Sequence, residues 1–250
     1  MLSVFVSFVT CVSFVLTGSA QQPVSRLKGR VVDERGGRVK DAEVRAEAFF
    51  GSAAGAFAGQ RTFTATTNAK GEWNILGIAP GIWLFEVIAP GYLPESVALP
   101  VRLLTASSPN AGGQLLTWEL VLKPMGAPAE NFWQPVVDAA QSARNGKGED
   151  AKMLLGRVPD EANADYLAAA GRVALLARET GMARTYFTRA LERDPSSYRA
   201  ALGVATVVLL QRDFDLASRA FDAARGRTRD KNEQKFLSYA IGDLATIKVR

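Results

Sequence analysis

The apolar positions of this chain follow two periods, one in each half. From Arg26 to Lys123 apolar and polar residues alternate, and turn residues break the runs. Ala42-Glu43-Val44-Arg45-Ala46-Glu47-Ala48-Phe49 is a strict alternation, a strand with one buried and one wet face. Leu27 to Asp33 alternates likewise and stops at Glu34-Arg35-Gly36-Gly37. Runs over Thr62–Thr67, Trp73–Ile78, Ile82–Ile88, Val97–Leu104 and Leu115–Leu122 complete about seven short strands, a spacing that predicts an antiparallel β-sandwich. Gly51 to Gly59 is small and glycine-rich, a loop by composition. Residues 124–130 shift to Pro, Gly and Ala and read as an interdomain linker. Beyond them the period turns helical, with Val136, Val137, Ala140 and Ala143, then Ala151, Leu154, Leu155 and Val158. The expected fold is therefore multi-domain: a sandwich over 26–123 and an all-α solenoid of helix pairs over 131–245.

The helical half repeats itself. Ala183, Phe187, Ala190 and Pro195 recur as Ala217, Phe221 and Ala224, without the proline, at an interval of about 34 residues. Helix pairs at this period resemble the tetratricopeptide repeat family, most closely from Ala164 to Arg225. Gly171, Ala183, Ala205 and Ala217 are the small residues that let two helices approach, and Phe187 and Phe221 fill the gap between neighbours. Arg212 stands where the family's inter-helix glycine belongs, and Phe236, Tyr239, Ala240 and Leu244 suggest a capping helix. The resemblance implies a concave surface lined by the first helix of each pair, here Ala168, Arg172, Leu175, Leu202, Thr206 and Leu209 with Arg199 at the rim. Arg172 and Arg199 are placed to pair with a partner's carboxylate. The plainer alternative is two exposed, solubilising arginines.

The first half resembles the carboxypeptidase regulatory-like domain, a transthyretin-like sandwich. Three blocks carry the likeness: Gly29-Arg30-Val31-Val32-Asp33 with Gly37, Val39, Ala42 and Val44; Thr66-Thr67-Asn68-Ala69-Lys70-Gly71-Glu72-Trp73; and Gly77-Ile78-Ala79-Pro80-Gly81-Ile82-Trp83 with Val87 and Ala89-Pro90-Gly91-Tyr92. It implies a non-catalytic accessory or binding role. Gly71 closes a turn that asks for positive φ, and Pro80-Gly81 suits a type II turn. Trp73, Trp83 and Phe85 read first as core. The sharper alternative makes Trp83 and Tyr92 a platform for a glycan.

Composition narrows the chemistry. The chain of 250 residues has no histidine and one cysteine, Cys11. Without histidine there is no Ser-His-Asp triad, no Cys-His pair and no His-ligated metal. Residues 1–20 are uncharged and apolar and end in Thr17-Gly18-Ser19-Ala20. They read as a signal peptide cleaved after Ala20, with an uncleaved membrane anchor and a buried helix as the alternatives. Cleavage would remove Cys11 and place the protein in the periplasm or outside the cell. The net charge of +5 is spread over both halves, not gathered into the stripe that nucleic acid requires. Paired acids at Asp33-Glu34, Glu149-Asp150, Asp160-Glu161 and Asp213/Asp215 fall in turns and helix starts, where caps and dipoles favour them. No phosphate loop, dinucleotide fingerprint or nucleophile elbow is present. The expectation is a non-catalytic exported protein that needs no cofactor or metal and binds another envelope protein or a peptide segment. The alternative is a carbohydrate-binding accessory protein. Contact with a membrane is expected only if residues 1–20 stay attached.

Overall fold

A computed structural model describes residues 26–50, 62–78, 81–101, 117–124 and 134–248. The expected signal segment, the Gly51–Gly59 loop, Pro80 and all of the expected linker except Pro124 lie outside the described residues. Seven strands come first: β1 (Arg26–Asp33), β2 (Glu43–Phe50), β3 (Thr62–Thr66), β4 (Glu72–Leu76), β5 (Gly81–Ile88), β6 (Glu95–Val101) and β7 (Thr117–Leu122). They form two sheets, β4-β1-β7 and β3-β2-β5-β6.

Inward-facing Val31, Val44, Ala46, Ile75, Phe85, Val87 and Leu122 make the core between the sheets, joined by Trp73 and Trp83 as expected of core aromatics. Trp73 packs directly over Gly29 of the neighbouring strand. A Cβ at Gly29 would stand 2.3 Å from the indole, so only glycine fits there. Gly71 has φ +70°, the left-handed turn residue its position demands. One pairing corrects the all-antiparallel expectation: β7 runs parallel to β1, Lys28 opposite Thr117 through Asp33 opposite Leu122. The chain leaves β6 on one sheet and returns on the other in the direction of β1, a crossover that alternation cannot reveal.

Seven helices follow: α1 (Gln134–Arg144), α2 (Gly148–Leu155), α3 (Ala164–Leu176), α4 (Thr180–Arg193), α5 (Tyr198–Leu210), α6 (Phe214–Arg225) and α7 (Lys231–Lys248). The pairs α3/α4 and α5/α6 begin at Ala164 and Tyr198, the same interval that separates Ala183 from Ala217, so the repeat read in the sequence is a repeat of structure. Even the caps recur at that interval. Asn163 accepts from Tyr166 N–H, and Ser197 accepts from Ala200 N–H. Phe187 and Phe221 are fully buried, as are Ala183, Ala205 and Ala217. Acids from the paired sites hold turns and helix ends. Asp33 accepts from the Arg35 and Gly37 backbone, Asp213 caps α6, and Asp160 pairs with Arg189.

Strand β6 sets the arrangement of the whole. It is the last strand of its sheet, bonded to β5 on one side only, and it carries Pro100, which suits an edge. Yet residues Ser96 to Val101 are all buried, because the edge is covered by α3, α5 and α7.

Candidate functional site: the concave face of the helical repeat

The first helices of the two pairs, α3 and α5, pack against β6 of the same chain. Ala168, Leu175, Thr206 and Leu209 are buried, and Leu202 is half-buried. They belong to one continuous core with the buried residues of β6, which α3 and α5 contact. Thr206 Oγ1 accepts from the Ala98 N–H at 3.4 Å, so a hydroxyl of α5 engages a backbone donor of the sheet's edge.

Arg172 and Arg199, expected to meet a partner's carboxylate or solvent, both pair instead with Glu95 of the same chain, at the start of β6. Arg172 Nε lies 3.1 Å from Glu95 Oε1, and Arg199 Nη1 lies 3.3 Å from Oε2. Arg199 also reaches Glu34 at 3.2 Å. Only 2% of the Arg172 side chain is exposed, so the alternative of two solubilising arginines fails for this residue. Burial pushes the Arg172 guanidinium below its usual range, and Glu95 opposes that push. The pairing is imperfect: Arg172 Nη1 is buried without a hydrogen-bond partner among the described residues.

A second set of charges joins the modules beside the α3–α4 turn. Arg178 sits there with φ +67°, in the place of a helix-ending glycine. Its guanidinium pairs with Glu47 of β2 and reaches Glu86 of β5 at 3.5 Å. Arg45 pairs with Glu47 at 3.1 Å and lies 3.9 Å from Glu86. Glu86 is almost fully buried, and the loss of water raises its pKa to about 7 against the pull of Arg178 and Arg45. Lys123 to Asp165 and Arg144 to Glu43 add two more ion pairs between the halves.

Between β6, β7, α5 and α7 lies a cleft of about 70 Å³, floored by Leu202, Leu120 and Phe236 and rimmed by Glu119, Glu233 and Tyr198. Burial raises Tyr198 well above its usual range, and Glu233 and Glu95 reinforce the shift. Burial also raises Glu233, opposed by the Thr228 hydroxyl bonded to it.

The expected glycan platform does not form. Trp83 is 1% exposed, packed 5.6 Å from the Phe63 ring, and a buried indole presents no face to a sugar. Tyr92 is half-buried at a bridge to Pro124. Among the described residues no group of three or more acidic or cysteine side chains is arranged to hold a metal, and no helix is long and apolar enough to cross a membrane.

The sequence reading missed the groove's occupant with its carboxylate Glu95, and the second cluster's Glu47 and Glu86. One signal was available. Eleven of the thirteen residues of α3 are buried, and its segment Leu167–Leu176 is apolar around its whole circumference save for Arg172. A helix with one face in water keeps that face polar, as α4 and α6 do; a helix apolar all round is covered on both sides.

No protein-family model and no curated protein matches the sequence. Solved structures are similar to parts of it. The Yersinia enterocolitica type III secretion chaperone SycD, solved with a peptide of the translocator YopD, is 18% identical over 48% of this chain and 94% of that one, at a TM-score of 0.39. The Sgt2 TPR domain of Aspergillus fumigatus is 13% identical over 50% and 85%, with the same TM-score. Hydroxyquinol 1,2-dioxygenase of Pseudomonas putida is 15% identical over 41% and 57%, at a TM-score of 0.30.

Proposed function

We propose that this chain is a non-catalytic, exported binding and scaffold protein of the cell envelope. In this reading a carboxypeptidase regulatory-like sandwich and a tetratricopeptide-type repeat present one composite surface to another protein. The observation that carries it is the engagement of β6 by the repeat. The concave face holds an extended strand through apolar contact, a threonine hydroxyl and two arginines on one glutamate. Because the chain's own strand fills the concave face, the partner meets the outer surfaces. On the helical side these include the exposed faces of α4 and α6, where Arg184, Arg193, Leu216 and Arg219 stand in solvent.

The test is crosslinking mass spectrometry of the full-length protein in native envelopes, with N-terminal sequencing of the mature chain. Crosslinks from α4 or α6 to one recurrent partner protein, on a chain that begins after Ala20, are expected. Crosslinks confined to the chain itself overturn the scaffold reading, and recovery of the protein in the cytoplasm overturns export. Arg172→Ala and Arg199→Ala do not serve as probes of partner binding, since both side chains hold the chain's own halves together.

A further inference from the structure

At the edge of the sandwich opposite β6 and β7, strands β3 and β4 end their respective sheets. A cleft of about 710 Å³ opens there, within the size range of small-molecule sites. Its lining is rich in donors. Lys28 and Arg30 of β1, Thr64 and Thr66 of β3, and Glu72 and Trp73 of β4 line it. Glu72 is already engaged by Arg30 at 3.5 Å and by the Asn68 amide at 3.2 Å. The Asn68 bond, foremost, keeps its carboxyl below the usual range. Lys28 has no ion-pair partner among the described residues, and Thr64 and Thr66 are exposed with hydroxyls that bond to nothing there. The strands that line it are held in place, since the Trp73 indole of β4 packs on Gly29 of β1.

We propose that this cleft binds an acidic saccharide, a hydroxyl-rich chain bearing carboxylates. The surplus positive charge at Lys28 calls for an anion, and the hydroxyls call for a ligand that hydrogen-bonds along its length. The volume is far larger than a single inorganic anion fills. A protein partner would want an exposed apolar or aromatic anchor, and Trp73 is only 3% exposed. Nucleic acid would want a longer basic track. The site lies apart from the outer helical surface proposed for the protein partner, so either reading stands or falls without the other.

Calorimetric titration of the full chain with trigalacturonate, maltotriose and triglutamate tests it. Trigalacturonate is expected to bind at least about tenfold more tightly than either of the others. Lys28→Glu should weaken it by about tenfold or more, and Thr64→Val with Thr66→Val should weaken it with the lysine intact. All three positions lie on the solvent side, and circular dichroism confirms that the variants fold. Failure of trigalacturonate to bind overturns the proposal, as does binding that survives both changes. Equal binding of triglutamate overturns the saccharide class and leaves a bare anion site.

Discussion

Arg172 is a guanidinium set into an otherwise apolar helix, and its charge is tolerable only because Glu95 stands beside it. Removing one member of a buried pair strands the other. Glu95→Ala is therefore expected to cost about 3 kcal/mol in urea unfolding. Arg172→Met removes the buried charge and its unpartnered Nη1 while Glu95 keeps Arg199, so it should cost less than about 1 kcal/mol. Equal losses would show that the pair contributes no more than its packing. Glu86 makes the pH dependence. Its folded pKa of about 7 lies above the ordinary 4.5, so the folded state holds a proton that the unfolded state releases. The stability it contributes is complete below about pH 4.5 and is lost as the pH rises to about 7, a fall of about 3 kcal/mol. Glu86→Gln should flatten that fall, read as the difference between the two urea-midpoint profiles over pH 4–8. A difference that does not change with pH would refute this role. At this scale the sequence disclosed half of each interaction. Arg172 and Arg199 stood out from their places in the repeat, but as groups for a partner's carboxylate or for solvent. Glu95 did not, because it lies in the other half of the chain, in a strand whose alternation says nothing of what covers its edge.

Helix packing in the repeat turns on one ring and two glycines. The Phe187 ring of α4 sits where a Cβ would be at Gly171 of α3, within 2.7 Å, and at Gly203 of α5, within 2.2 Å. Phe187 is fully buried. Gly203→Ala is expected to cost about 1–3 kcal/mol by overpacking. A companion Phe187→Leu should recover part of it. Gly242, in the interior of α7, has nothing within 4 Å of the point a Cβ would occupy, and Gly242→Ala should gain about 0.5–1 kcal/mol from helix propensity alone. Thermal unfolding of the two single variants in parallel distinguishes them, and shifts of the same sign would refute the contrast. Gly171 was readable in advance from the repeat's spacing, whereas Gly203, two positions before Ala205, was not. The end of the stack was also readable. Phe236, Tyr239, Ala240 and Leu244 were read as a capping helix, and they fall in α7, which packs on α6. The turns were read in part. Arg178 and Arg212 both adopt φ +67° in places the family gives to glycine, and at Arg178 the ion pairs to Glu47 and Glu86 explain why a long side chain stands there.

For the whole molecule, the covered edge of β6 makes the two halves mutually dependent. Removing the helices would expose an apolar edge strand that also bonds to Thr206, and removing the sandwich would expose the apolar inner faces of α3 and α5. Either half alone presents a large unpaired apolar surface, and one ordinarily expects such surfaces to be covered. Two tethered, independent domains would instead unfold separately. The two behaviours are separable by spectroscopy because the reporters lie in different halves. Trp73, Trp83 and Trp118 lie in the sandwich strands, a Trp133→Phe background removes the tryptophan of the helical half, and the helices dominate ellipticity at 222 nm. Coincident urea transitions by tryptophan fluorescence and by ellipticity are expected for the native chain. Breaking the junction with Glu95→Ala and Thr206→Val together should move both midpoints down in step, or separate them with the helices melting first. Two separated transitions in the native chain would mean that β6 merely touches the repeat. The covered concave face would then have to be read as a weakly closed groove, open to a competing segment of another protein.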